Sequence, residues 1–261
     1  MPVSKTILSL VKASKILELI MSESRALGVS ELSRALDMPK PTVQNMLFTL
    51  ESEGLLEKDP MSLKYRLGAR LFQLGMHYAN NMDLTMIARA WLERLCSQYG
   101  ETSRAGIVMG EKIIIVMEVQ HDSTYMTFPG PGSVIPPHTT SIGKILLAYM
   151  PEKRREKILK NIHFTPLTDK SFKNMDELKA DLDTVHSGGI AFDNEESLKG
   201  LSCIAGPVFN HRNECIAAIS LSGNSSKMEL RRNEIINAIK YTCFRMSEQM
   251  GYRGEQPSVF N

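Results

Sequence analysis

Gln44 and Asn45 stand one turn into a stretch that opens Lys40-Pro41-Thr42 and closes at Gly54. A side-chain amide can both donate to and accept from the major-groove edge of adenine, and a lysine suits a phosphate or a guanine. Val43, Met46, Leu47 and Leu50 recur at helical spacing, so residues 40–53 are predicted to form a helix whose polar side carries Lys40, Thr42, Gln44, Asn45 and Thr49. Pro41 is tolerated in a first helical turn, and Gly54 is a natural stop. Just beyond, Lys58 and Lys64-Tyr65-Arg66 flank the turn Asp59-Pro60-Met61-Ser62. Such a basic hairpin could hold a nucleic-acid backbone or enter a minor groove.

A second group of residues suggests anion binding. Thr139-Thr140-Ser141-Ile142-Gly143 leads into an apolar helix, whose first amides and positive dipole end favour an anion. Ser220 and Ser222 lie two apart on an expected strand and point to one face. Covalent chemistry has weaker support. Cys203 with His138, His186 or His211 as base would make a cysteine hydrolase, but no nucleophile motif such as G-x-S-x-G is present. A redox role for Cys203 would need a lowered thiol pKa, and no basic neighbour in sequence supplies one. The four cysteines, Cys96, Cys203, Cys215 and Cys243, are widely spaced without a C-x-x-C pair. No metal site, disulfide framework or cofactor is therefore expected.

The elements that position these groups divide between two expected domains, as 261 residues would suggest. No apolar run approaches the roughly 20 residues that cross a bilayer. Lys5, Lys12, Lys15 and Glu18 interrupt the opening segment, so no signal peptide is expected and the chain reads as cytoplasmic. Net charge is +2, and residues 1–75 carry all of it, with ten Lys/Arg against eight Asp/Glu. A nucleic-acid-binding module would bias charge that way.

Periodicity predicts helices over residues 4–21 and 31–36, the second capped by Ser30. The helix at 40–53 and strands at 55–58 and 64–67 follow. Helix, helix, Pro-marked turn, helix and basic hairpin together form a winged helix-turn-helix. A connecting helix is expected near 69–81 and another over 84–99. Strands are then expected at 102–109, 113–119, 125–128, 191–195, 201–209 and 215–222, in an antiparallel or mixed sheet. Helices are expected at 140–149, 152–160, 175–186 and 228–250, and the tail after Gly251 as disordered.

Three motifs beyond this head complete the pattern. Residues 11–75 contain VKASKILELI, GVSELSRALDMPKPTVQNMLFTLESEGLLEKD and KYRLGARLFQLG; residues 136–150 read PPHTTSIGKILLAYM; residues 189–209 read GIAFDNEESLKGLSCIAGPVF; and residues 217–223 read AAISLSG. In this order they resemble the IclR family over nearly the whole chain. The resemblance implies an α+β protein: an N-terminal winged helix-turn-helix (1–68), a connecting and dimerising helix (69–82), a GAF-like sensor domain with a mostly antiparallel sheet (83–251), and a tail (252–261).

It also implies a transcriptional regulator rather than an enzyme, most often a repressor. Such a protein would be a homodimer or a dimer of dimers on a pseudo-palindromic duplex operator, responding to a small carboxylate. Matched motif to motif, the effector pocket would comprise the Ser141 and Ile142 amides, a polar wall of Asp193, Cys203, Ser220 and Ser222, and apolar Ile135 and Leu201. Pro41 and Asn45 depart from the family's usual small hydroxyl residue and arginine, so its operators do not transfer. Ser141 and Ile142 replace smaller residues of some relatives, which alters pocket size.

Overall fold

The computed structural model describes residues 6–23, 25–80, 83–121 and 130–253. They form two compact units, Met1–Asn81 and Met82–Asn261.

In the first unit, α1 (Leu8–Glu23), α2 (Val29–Ala35) and α3 (Lys40–Ser52) pack around Ile16, Ile20, Leu32, Val43, Leu47 and Leu50. The strands β1 (Leu56–Lys58) and β2 (Tyr65–Leu67) pair antiparallel, and α4 (Ala69–Asn80) follows. Two details differ from expectation. The cap of α2 is Gly28 rather than Ser30: Glu31 reaches back to accept the Gly28 amide at 2.8 Å, so a side chain three residues into the helix satisfies the end. Tyr65, expected on the DNA-facing wing, is buried in the core beside Leu56, and its backbone exchanges two 2.9 Å hydrogen bonds with Leu27. Alternation along β2 puts its ring on the core face and Arg66 on the outer one.

The second unit runs α5 (Asp83–Tyr99), β3 (Thr102–Met109), β4 (Lys112–Val119), β5 (Val134–Ile135), α6 (Ser141–Tyr149), α7 (Glu152–Leu159), α8 (Met175–Gly188), β6 (Ala191–Asn194), β7 (Leu201–Phe209), β8 (Cys215–Asn224), α9 (Ser225–Leu230) and α10 (Arg232–Gln249). All pairings in its six-stranded sheet, ordered β5-β4-β3-β8-β7-β6, are antiparallel. The strand expected at 125–128 lies outside the described residues, and β5 occupies the edge. The expected helix at 228–250 is interrupted at Arg231, whose guanidinium lies 4.5 Å from the Tyr99 ring centre.

Helices cover both faces of this sheet. Leu92 and Leu95 of α5 and Ile239, Cys243 and Met246 of α10 pack on Ile204, Ile219 and Leu221. On the other face, Ile145 and Leu146 of α6 and Leu178 and Leu182 of α8 meet Ile113, Ala205 and Ala218. Strand side chains alternate in direction. Positions 203, 205, 220 and 222 therefore look toward α6, where a gap in the apolar packing opens.

Candidate functional site

Helix α3 places Val43, Leu47 and Leu50 in the core and leaves Lys40, Gln44, Asn45 and Thr49 exposed, with Thr42 half-buried. The geometry of the turn before it is fixed locally: Ser33 donates its hydroxyl to the Met38 carbonyl at 2.6 Å and accepts the Met38 amide on its own carbonyl at 3.0 Å. Gln44 and Asn45 keep their amides on the outer face. The Thr49 hydroxyl instead donates to the Asn45 carbonyl at 3.0 Å, so it is spent on the helix itself.

In the wing, Lys58 and Arg66 are exposed and Lys64 is half-buried. Arg66 bonds Glu57 through Nε at 3.1 Å and a terminal nitrogen at 3.0 Å, while Lys64 lies 3.3 Å from Glu31. These cations are tethered by neighbouring carboxylates at the surface, where such pairs are weak enough to exchange for a phosphate.

In the second unit, Ile135, Ser141, Ile142, Asp193, Cys203, Ser220 and Ser222 line one cavity together with Arg104, Ile115 and Thr140. Its empty space, counted with the part continuous with solvent, is about 340 Å³. Two adjacent rows of cross-strand partners build its floor. Asp193 stands opposite Cys203, Cys203 opposite Ser222, and Ser222 opposite Thr102. One step along, Ala205 faces Ser220, Ser220 faces Arg104, and Arg104 faces Glu118.

The N-terminus of α6 forms the roof. Thr140 caps it, accepting the Gly143 amide at 3.2 Å. The Ser141 and Ile142 amides have no hydrogen-bond partner among the described residues. Two glycines permit this close approach. A Cβ on Gly106 would come within 2.6 Å of Ile142, and one on Gly143 within 2.4 Å of the Pro137 carbonyl oxygen. Gly106 also adjoins the register shift between β3 and β4, a bulge at the rim of the site.

Leu201 does not line the cavity. It is buried at the start of β7, and its amide bonds the Leu198 carbonyl at 3.2 Å.

Asp193 is fully buried and serves two roles. It lines the cavity, and Oδ1 accepts the Glu196 amide at 2.8 Å and the Ser197 amide at 3.3 Å while Oδ2 accepts the Ser197 hydroxyl. Burial pushes its carboxyl above its ordinary value, and the hydrogen bonds from Ser197 and Glu196 oppose that shift. Glu196 in turn holds the buried Lys144 ammonium through both oxygens at 2.9 Å, pinning this loop to α6.

Arg104, Ile115 and Thr140 were missed by sequence reasoning. Arg104 carried a signal, because a charge amid Thr102-Ser103 and Ala105-Gly106-Ile107 on a central strand must be buried and paired. Its Nε lies 2.5 Å from Glu118, and both side chains are buried.

The covalent alternatives find no support in this geometry. Cys203 is buried with its Sγ 3.8 Å from an Asp193 oxygen. Burial, reinforced by the Asp193 charge, drives its thiol pKa far up, opposite to what a nucleophile or redox sensor requires. None of His138, His186 and His211 lines the cavity with it.

Comparison with known proteins agrees with this anatomy. Residues 9–60 match the IclR helix-turn-helix domain, and residues 76–248 match the bacterial transcriptional regulator IclR C-terminal domain. The chain is 32% identical over 245 residues to the HTH-type transcriptional regulator KdgR of Dickeya chrysanthemi, covering 94% of this chain and 80% of that one. It is 30% identical over 221 residues to the HTH-type transcriptional regulator XynR of Escherichia coli K12, covering 85% and 88%. The crystal structure of the Thermotoga maritima IclR superposes with a TM-score of 0.71 at 26% identity, covering 94% of this chain and 99% of that one. These relatives are regulators rather than enzymes. With a helix-turn-helix and a C-terminal domain that both match, the chain belongs to the IclR family of bacterial transcriptional regulators, which act by binding DNA.

Proposed function

We propose that this protein represses a set of catabolic genes by binding a pseudo-palindromic operator as a homodimer, and that a small carboxylate held in the cavity controls the binding. The cavity carries this reading. Seven residues chosen from sequence for an effector surround it, and two partnerless amides at the start of a helix point to an anion. The carboxylate would rest on the Ser141 and Ile142 amides, with the Ser220 and Ser222 hydroxyls across from them. Among the described residues, no helix is long and apolar enough to cross a membrane.

Dimerisation is supported by α4, on which Phe72, Leu74 and Met76 are exposed. Phe72 and Met76, four residues apart, share one face of α4, and exposed apolar surface of this kind gains by burial against a second copy. The dimer would place two α3 helices in major grooves about 34–36 Å apart. Ligand preference for one arrangement of the heads would shift operator affinity, and only to the extent of that preference.

A thermal-shift screen of small carboxylates and sugar acids tests the proposal. A true effector raises the melting temperature in proportion to the logarithm of its concentration above Kd, and Ser222→Ala removes the rise. If no acid in the screen stabilises the protein while neutral sugars or amines do, the carboxylate assignment is wrong.

A further inference from the structure

Phe48 is 69% exposed on α3, on the same side as the candidate base-reading residues. At about 100° per residue, Pro41, Asn45 and Phe48 fall on the ridge opposite Val43, Leu47 and Leu50, with Lys40 and Gln44 on its flank. The ridge therefore presents proline, an amide and a phenyl ring, and no charge.

Its surroundings indicate what the ring meets. The residues three and four positions away are Gln44, Asn45, Glu51 and Ser52, all polar. The ring has no apolar neighbour on its own helix surface, unlike Phe72, which shares α4 with exposed Leu74 and Met76. A protein partner would be expected to meet a contiguous apolar patch, and α3 offers none. A single exposed ring beside an adenine-reading amide fits the one apolar group on a major-groove base edge, the thymine C5-methyl. Side chains on a helix lean back toward its N-terminus, so Phe48 covers the turn that carries Gln44 and Asn45. Lys40 is exposed at the start of the same helix for a phosphate, and the acidic Glu51 and Glu53 lie beyond Phe48 at its other end.

We infer that Phe48 is a specificity-determining residue that packs on a thymine methyl next to the base pair read by Asn45. This rests on α3 being the DNA-reading helix. Each half-site would then carry an A·T pair at which the methyl, and not only the hydrogen-bonding edge, is recognised.

Thymine-to-deoxyuridine substitution removes only the methyl and tests this directly. The probe is the duplex that the full-length protein recovers from a randomised 30-base-pair library, with each thymine replaced in turn by deoxyuridine. At one thymine per half-site the wild type should lose about fourfold in affinity, the effect of withdrawing one methyl-sized apolar group from a dry contact. Phe48→Ala should bind the parent duplex more weakly and show no further loss at that position. The inference is overturned if the wild type binds every substituted duplex as well as the parent, or if Phe48→Ala is as methyl-sensitive as the wild type. In either case Asn45→Ala still weakening the binding would leave the DNA-reading role of α3 standing. Recovery of no duplex at all would remove both.

Discussion

Arg104 on β3 and Glu118 on β4 stand opposite one another in register, and their side chains meet at 2.5 Å, both buried, at the wall of the cavity. Withdrawing two charges from water is costly, and their attraction offsets that cost only while both remain. Glu118 thus offsets the positive charge that Arg104 brings to the cavity lining.

Removing one partner should therefore be worse than removing both. Glu118→Gln takes from the buried guanidinium the carboxylate that faces it and is expected to destabilise the protein by about 3–5 kcal/mol. The double variant Arg104→Met, Glu118→Leu should recover most of that loss. Chemical denaturation monitored by circular dichroism measures both. Equal losses in the single and double variants would contradict the coupling.

On α3, Gln44→Ala and Asn45→Ala should each cost about 1–3 kcal/mol of operator binding and relax base preference at one position. Lys58→Ala should instead weaken binding to all duplexes alike and reduce the salt slope by about one unit. Fluorescence anisotropy at several salt concentrations separates the two patterns.

Glu31 makes the first unit acid-sensitive. The hydrogen bond from Arg25, then the Gly28 amide and Lys64, hold its carboxyl down at about 2. A carboxylate whose folded value lies below its unfolded one stabilises the fold fully above the unfolded value, and that contribution disappears as pH falls through the folded one. Between pH 4.5 and about 2, the wild type should lose melting temperature faster than Glu31→Gln. Parallel curves would show that the cap carries no such linkage.

Cys203 should resist alkylation. Burial and the Asp193 carboxylate raise its thiol far above the ordinary range, so iodoacetamide at pH 8 should leave it unmodified in the native protein and label it after unfolding. Rapid native labelling, read by peptide mass spectrometry, would reopen the redox reading.

The sequence made the helix-turn-helix legible because its signals are local: Val43, Leu47 and Leu50 at helical spacing, a proline at the start and Gly54 at the end. Most of the cavity was legible because the family motifs carry it. What escaped depends on pairing between distant strands. Tyr65 looked like a wing residue but faces the core, and Leu201 looked like a pocket wall but is buried away from the cavity lining. Arg104 belongs to the site through β4 and β8, which lie 14 and 116 residues away at Glu118 and Ser220. No short-range pattern reports such a relationship. The break at Arg231 was likewise hidden, since the apolar periodicity runs on across it.

Operator affinity with and without a bound acid tests the central claim most directly. Anisotropy titrations of wild type and Ser220→Ala/Ser222→Ala would use the selected duplex and the acid that most raises the melting temperature. The account predicts that the acid changes the wild-type Kd by about 5–150-fold, the usual span of allosteric coupling, and leaves the double variant's Kd unchanged. An acid that stabilises the wild type yet leaves its Kd for the duplex unaltered would contradict it.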